Sequence, residues 1–333
     1  MVGINLRLRR RRAIAAFGVA LAAFCLANAG ARAQANYPDR PVRIILPFGP
    51  GGVADITTRL VAQKLGEKLG QNFIVENMPS AGGITAARAV LSAPADGYTL
   101  ALFTNGTAIS VALFNKLPFD PIKQFVPVST LGVFDLVFAV AANSEFKTLG
   151  DILKAARDKP GTVNIGAITV GSTQDLTAEL FKSMSGAEFV IIPFRTSPDE
   201  AVALLRGDIQ MEVEFYAALK PSLESNQARA LATSGPKRSP ELPNVPAAAE
   251  AGVPKFDVVS WNSLYAPAGT PQPIIDKLNA TLREVLADPE IKKRALDLGI
   301  DSVGSTPADL DARMKSDIDK WTKVIDNAHI PKQ

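Results

Sequence analysis

Cysteine is almost absent. Cys25 is the only one in 333 residues, and it sits in an apolar stretch close to the N-terminus. A body lacking it has no disulfide, no thiolate zinc site and no cysteine nucleophile, so its stability comes from packing. Histidine is equally scarce. His329 stands alone among polar residues near the C-terminus, which reads as a solvated tail residue and removes the usual general base of hydrolases. No G-x-S-x-G elbow and no G-x-x-x-x-G-K-[ST] occurs, and no G-x-G-x-x-G opens the first glycine loop. Ser144-Glu145-Phe146-Lys147 matches S-x-x-K, but it leads straight into a helix cap at Thr148 and no K-T-G follows, so it reads as a loop. Glu212 and Glu214 alternate with Met211 and Val213, which puts both acids on one face of a strand. Two acids without a third ligand make a weak metal site. They read as a solvated strand face, with Glu214 at the carboxyl end in position to face a cleft. The sequence therefore predicts no enzyme, no cofactor and no metal.

Excess charge of one sign is also missing once the chain is divided. Lys and Arg number 36 against 33 acids, but six arginines lie in the first 33 residues, which carry no acid. The remainder holds 30 basic and 33 acidic residues, a balance that gives no footing for nucleic-acid binding. The N-terminus itself has the form of an export signal. Basic Met1–Arg12 precedes apolar Ala13–Ala27, and Ala31-Arg32-Ala33 supplies a small-x-small cleavage site. The apolar run is short for a membrane span of ~20 residues. The expectation is a signal peptide over 1–33, cleavage near Ala33 and a periplasmic destination.

Apolar residues make up 47% of the chain, an ordinary globular composition. Some 300 residues is the size at which one core divides into two. Short β-branched runs alternate with helical patterns: strand Val42–Leu46, then helix Val53–Leu69 stopped by Gly70, then strands at Phe73–Glu76 and Thr99–Thr104. Leu136–Ala141, Val163–Ala167, Phe189–Ile192 and Ile209–Phe215 read as further strands. Thr148-Leu149-Gly150-Asp151 and Thr306-Pro307-Ala308-Asp309 are capping boxes that open helices. After Trp261 the pattern becomes helical. Pro236–Pro254 reads as a long surface connection. The rhythm predicts an α/β fold with a mostly parallel sheet and helices on both faces.

One feature recurs three times. Strand Val42–Leu46 runs into Pro47-Phe48-Gly49-Pro50-Gly51-Gly52 and a helix with Asp55 in its first turn. Strand Thr99–Phe103 runs into Thr104-Asn105-Gly106-Thr107. Strand Val163–Ala167 runs into Thr169-Val170-Gly171-Ser172-Thr173. Each is a glycine-bearing turn between a strand end and a helix start, which leaves N–H groups pointing outward at the positive end of the helix dipole. In a parallel sheet such turns share one edge, where ligands bind. The chemistry fits a small anion such as a carboxylate. A helix end in the open is worth only ~0.3–1 kcal/mol to an anion, and micromolar binding needs about 8 kcal/mol. Charge-assisted hydrogen bonds of ~1.5–3 kcal/mol each reach that only where water is excluded, which calls for two lobes that close.

Several stretches resemble the Bug-type substrate-binding proteins of tripartite tricarboxylate transporters. They are the opening Tyr37-Pro38-Asp39-Arg40-Pro41; the loop Pro47–Asp55, similar to P-F-x-P-G-G-x-x-D; Glu76–Gly83, similar to E-N-x-x-x-A-G-G; Asp96–Leu100; and Ala266–Pro271. The resemblance implies a type II periplasmic-binding-protein fold, two α/β lobes joined by two crossover strands around a ligand cleft. Lobe 1 is expected over 34–138 and 259–333, and lobe 2 over 139–258. It also implies a monomer that captures a small organic acid and delivers it to membrane subunits, one large and one small; a sensory protein serving a membrane kinase is the alternative. The expected ligand-binding residues are Phe48, Gly49, Pro50, Gly51, Gly52, Ala54, Asp55, Thr104, Asn105, Thr107, Thr169, Gly171, Ser172, Thr173 and Glu214. The chain departs from the family pattern in three places: Asp175 stands where a histidine is usual, Pro193-Phe194-Arg195-Thr196 where P-Y-[KR]-G is usual, and Val213-Glu214-Phe215 where F-D-N is frequent. Two acids near the site predict one ligand carboxylate and a distal amine or hydroxyl rather than a second carboxylate.

Overall fold

Strand β1 (Val42–Leu46) pairs in parallel with β2 (Phe73–Asn77) on one side and β3 (Thr99–Thr104) on the other. This is the pairing that right-handed crossovers through helices impose. The computed structural model describes residues 37–327 and 330–333; the expected signal segment and His329 lie outside them. Helix α1 (Val53–Leu69) connects β1 to β2 and stops at Gly70, whose φ of 70° is the left-handed C-cap conformation that glycine adopts without strain. Helices α2 (Ile84–Leu91) and α3 (Asn105–Leu113) flank β3.

Strand β4 (Phe125–Ala141) is 17 residues long and belongs to two sets of partners. Its first part, Phe125–Asp135, runs antiparallel to β9 (Val259–Pro267), which in turn pairs with β3. From Leu136 onward its partners are β7 (Met211–Phe215) and β8 (Ala228–Thr233). Strands β5 (Val163–Ile168) and β6 (Phe189–Phe194) complete that side, with β5 parallel to both β6 and β7. The overall order is β2-β1-β3-β9-β4-β7-β5-β6, with β8 on β4.

Helices α4 (Leu149–Asp158), α5 (Thr173–Ser185), α6 (Ser197–Arg206) and α7 (Tyr216–Glu224) accompany the second set of strands. Helices α8 (Gln272–Ala287), α9 (Pro289–Leu296) and α10 (Pro307–Asn327) follow β9. Both expected capping boxes form: the Asp151 amide donates to Thr148 Oγ1 at 3.2 Å, and the Asp309 amide to Thr306 Oγ1 at 3.1 Å.

Each set of strands has its own aromatic nucleus. Phe103 lies 4.7 Å from Phe125 and 4.9 Å from Tyr265, centroid to centroid. On the other side Phe138 stands 4.8 Å from Phe181, which is 5.4 Å from Phe189. Such pairs contribute about 0.5–1.5 kcal/mol each beyond their burial. Between the two nuclei, buried Ser234 stitches the chain where it crosses. Its amide donates to the Leu136 carbonyl at 2.8 Å, and its hydroxyl accepts from the Leu136 amide at 2.8 Å and donates to the Val258 carbonyl at 2.7 Å.

Four sequence expectations need correction. The sheet is mixed rather than mostly parallel, since β4 and β9 run antiparallel to every strand they pair with. The strand read as Leu136–Ala141 is only the end of β4; Pro127 and Gly132 hide the rest, and the ladder to β9 shifts register beside both. The helical region begins after Pro267 rather than after Trp261, since β9 continues through it. The Pro-rich segment contains no helix or strand, but it is not purely a surface connection: Ala247, Ala248 and Val253 are buried.

Candidate functional site

The first and third glycine turns are one local structure built twice. Gly51 and Gly171 have φ of 89° and 84°, values that a side chain rarely adopts. The Gly51 amide donates to Asp55 Oδ2 at 3.2 Å, and the Gly171 amide to Asp175 Oδ2 at 2.9 Å. In each case the next residue, Gly52 or Ser172, is the N-cap of a helix. The glycine supplies the left-handed bend and the aspartate four residues on locks it. No side chain caps α1, which leaves its first-turn amides, Val53 and Ala54 among them, for a ligand. At α5 the Ser172 hydroxyl takes only the Asp175 amide.

The two turns border the same cavities: Gly49 and Gly52 with Thr173 in one, Pro47 and Phe48 with Thr169 and Gly171 in the other. The third turn is held against the first set of strands and helices: the Gly82 amide donates to the Val170 carbonyl at 3.3 Å, Ser110 Oγ donates to the Gly171 carbonyl at 3.3 Å, and the hydroxyls of Thr173 and Ser260 meet at 3.2 Å. Gly49 packs so closely on the turn after β6 that an added Cβ would stand 2.5 Å from Thr196 Cγ2 and 2.9 Å from the Arg195 carbonyl.

Two adjoining cavities, a larger and a smaller, lie between these turns and share Phe48 and Thr104. Of the expected residues, Phe48, Gly49, Gly52, Ala54, Thr104 and Thr173 line the larger. Thr107, Thr169, Gly171 and Ser172 line the smaller.

Five expected residues line neither cavity. Pro50 is exposed. Gly51 and Asp55 shape the turn, with Asp55 also accepting from Arg59 and Asn77 at 3.0 Å each. Asn105 is buried and its Oδ1 accepts from the Trp321 indole at 2.9 Å. Glu214 sits behind the cavity wall. Its Oε1 accepts from Gln174 Nε2 at 3.0 Å and from the Phe215 amide at 2.6 Å, and its Oε2 accepts from Ser197 Oγ at 2.5 Å.

The second turn also differs from expectation. Helix α3 begins at Asn105 itself, the Thr104 hydroxyl takes the Gly106 amide, and the Thr107 hydroxyl takes the Thr104 amide. These donors are satisfied internally, so this turn contributes walls rather than outward N–H groups. The solvated strand face assigned to Glu212 and Glu214 is overturned as well. Strand β7 lies inside the sheet between β4 and β5, and both acids are 1% exposed.

Sequence reasoning missed Gln174, Arg195, Ser197, Ser260 and Asn262, all of which line the larger cavity. Arg195 is exposed and is the one cation on that lining. Asn262 is 1% exposed, and its Nδ2 has no hydrogen-bond partner among the described residues. A buried amide left without a partner costs about 1–3 kcal/mol, and this one lies on the lining of the larger cavity. Thr196-Ser197-Pro198-Asp199 was a legible cap, and it opens a further helix at the same sheet edge. Asn262, a polar residue within an otherwise largely apolar strand, was the other available signal.

The family profile described as "Tripartite tricarboxylate transporter family receptor" matches residues 57–330. The chain belongs to this family of receptors. It is 32% identical to Protein BugT of Bordetella pertussis over 90% of this chain and 94% of that protein. A Pseudomonas sp. protein from the tcbD-tcbE intergenic region is also 32% identical, over 95% of this chain and 94% of its own length. Among solved structures, Rhodopseudomonas palustris Rpa4515 with adipate superposes with a TM-score of 0.86 at 32% identity, covering 89% of this chain and all of that one. MatC from the same organism, with bound malate, gives 0.81 at 30% identity, covering 87% of this chain and all of that one. The fold is that of the Bug-type periplasmic binding proteins, and family and fold alike are those of solute-binding proteins. No helix among the described residues is long and apolar enough to cross a membrane.

Proposed function

We propose that this receptor closes two lobes over a small organic acid in the periplasm and passes it to a membrane permease of one large and one small subunit. The observation that supports the reading is that the Gly51 and Gly171 turns line the same cavities. Uncapped amides at the start of α1, the free Nδ2 of Asn262 and the Arg195 guanidinium give that cavity donors for a carboxylate. The bound adipate and malate of the two Rhodopseudomonas proteins agree with this chemistry. The proposed lobes are those expected from the sequence, 34–138 with 259–333 and 139–258, and the change of partners along β4 supports dividing the chain in that region.

The test is native mass spectrometry of the freshly purified protein, followed by calorimetry with the acid so identified. An organic acid that is retained, and that Arg195→Ala binds about tenfold or more weakly, supports the reading. A protein that binds no carboxylate overturns it. Delivery is tested by uptake of that acid in cells with and without the permease subunits.

A further inference from the structure

The wall of the larger cavity formed by Ser197 and Gln174 has a fixed polarity. A serine hydroxyl has one hydrogen and two lone pairs. Here the hydrogen goes to Glu214 Oε2 at 2.5 Å, so towards the cavity Ser197 offers lone pairs. Gln174 directs Nε2 to the same carboxylate at 3.0 Å, and its Oε1 has no partner among the described residues. Both side chains line the cavity, and both are held in this sense by a carboxylate that is itself 1% exposed.

The negative charge behind this wall is assigned by its hydrogen bonds. Three carboxyls, Glu200, Glu212 and Glu214, are buried together, and Gly166 leaves room for the first: a Cβ there would stand 3.0 Å from Glu200 Oε1. Glu214 receives hydrogen bonds from Ser197, Gln174 and the Phe215 amide. Glu212 receives none among the described residues. Burial pushes the Glu212 carboxyl up to about 8 and raises that of Glu200 well above its ordinary value, with repulsion from Glu214 adding to both. Burial raises Glu214 too, but its three donors pull against it. Of the three, only Glu214 has hydrogen-bond donors on both carboxyl oxygens, so the charge is assigned to Glu214. In a site shielded from water, that charge strongly disfavours an anion and favours a donor.

Building on the receptor reading above, we propose that the transported acid bears a hydrogen-bond donor, an ammonium or hydroxyl group, seated against Ser197 and Gln174. Glu214 is the positioning residue that keeps the acceptors of both side chains turned towards it. The ligand carboxylate takes the amide donors and Asn262, and the second group is selected by the Ser197–Gln174 wall. An unsubstituted diacid is thereby disfavoured.

The experiment is calorimetry on ligand-stripped protein with two chain-matched series: butyrate, 4-hydroxybutyrate, 4-aminobutyrate and succinate; then hexanoate, 6-hydroxyhexanoate, 6-aminohexanoate and adipate. In the series that fits, the hydroxy or amino acid binds at least tenfold tighter than the diacid, and which of the two wins identifies the donor. Glu214→Gln reduces that preference at least tenfold. Ser197→Ala does the same and serves where Glu214→Gln does not fold, as judged by circular dichroism. A diacid that binds as tightly as its amino and hydroxy counterparts overturns the proposal, as does an unchanged preference in both variants. Binding of none of the eight acids overturns the carboxylate-receptor reading itself, and is distinct from binding with the wrong order.

Discussion

Gly51 and Gly171 occupy equivalent places in two copies of one turn, each giving its amide hydrogen to the aspartate four residues on. The carboxyls of the two aspartates are shifted in opposite directions for a local reason. Burial pushes the Asp55 carboxyl up, but hydrogen bonds from Arg59, Asn77 and Gly51 outweigh it and hold the group below its ordinary value. Burial takes Asp175 up to about 7; the Gly171 amide opposes this and Glu179 adds to it, with no cation to compensate.

Ligand affinity is therefore expected to depend on pH through Asp175. The deprotonated carboxylate repels an anion bound near the start of α5, and protonation as pH falls through about 7 removes that repulsion. Calorimetry between pH 8 and pH 6 should show affinity for a carboxylate rising several-fold on acidification. Asp175→Asn should flatten the profile. A wild-type profile that falls towards pH 6 would contradict this assignment.

Gly49→Ala separates closure from folding. The backbone of Gly49 is not in the left-handed region, so alanine is tolerated there, but its Cβ would meet Thr196 Cγ2 and the Arg195 carbonyl in the closed arrangement. The unliganded variant should melt within about 2 °C of the wild type and bind ligand at least about tenfold more weakly. Small-angle scattering with ligand should show an expanded form. Unchanged affinity would mean that the two turns do not approach on binding.

Asn105 belongs to the scaffold. Asn105→Ala leaves the buried Trp321 indole N–H without its acceptor, at a cost of about 1–3 kcal/mol. Urea unfolding should show that loss, while ligand affinity should stay within about threefold of the wild type.

Asp135 is expected to lower stability at neutral pH. Burial pushes its carboxyl from 3.8 up to about 6, with Asp257 and Glu241 adding and Lys237 opposing. The folded state then holds this proton more tightly than the unfolded chain, so stability falls as pH rises from about 4 to about 6 and stays low above it. The effect is on the order of 2 kcal/mol after allowance for partial exposure. Asp135→Asn should melt a few degrees above the wild type at pH 7, with the gap closing near pH 4.

What the sequence made legible followed from local chemistry. Gly70 as a helix stop, the Thr148 and Thr306 caps and the two outer glycine turns are each set by residues within a few positions of one another. The course of β4 was hidden because Pro127 and Gly132 interrupt the pattern, and only its partner β9 accommodates them through shifted register. The burial of Glu212 and Glu214 was hidden for a related reason. Alternation reads as one wet face, and β7 becomes an interior strand only through distant β4 and β5. Asn262 and Arg195 reach the cavity from elements about 70 positions apart in sequence, a juxtaposition that no local pattern encodes.

If the receptor works as proposed, strand β4 and Ser234 mark where its two lobes turn against each other. The rungs to β9 end at Asp135, and those to β7 and β8 begin at Leu136 and Val137. A swivel about that peptide can proceed with every rung kept, and the Ser234 hydroxyl holds the outgoing and returning segments together like an axle pin. Contacts between the two halves resist the swing, among them Gly49 on Thr196, the Thr173 and Ser260 hydroxyls, and Lys220 Nζ on the Asp297 carbonyl. Residence time is then expected to follow these contacts and the guest rather than the strand ladders.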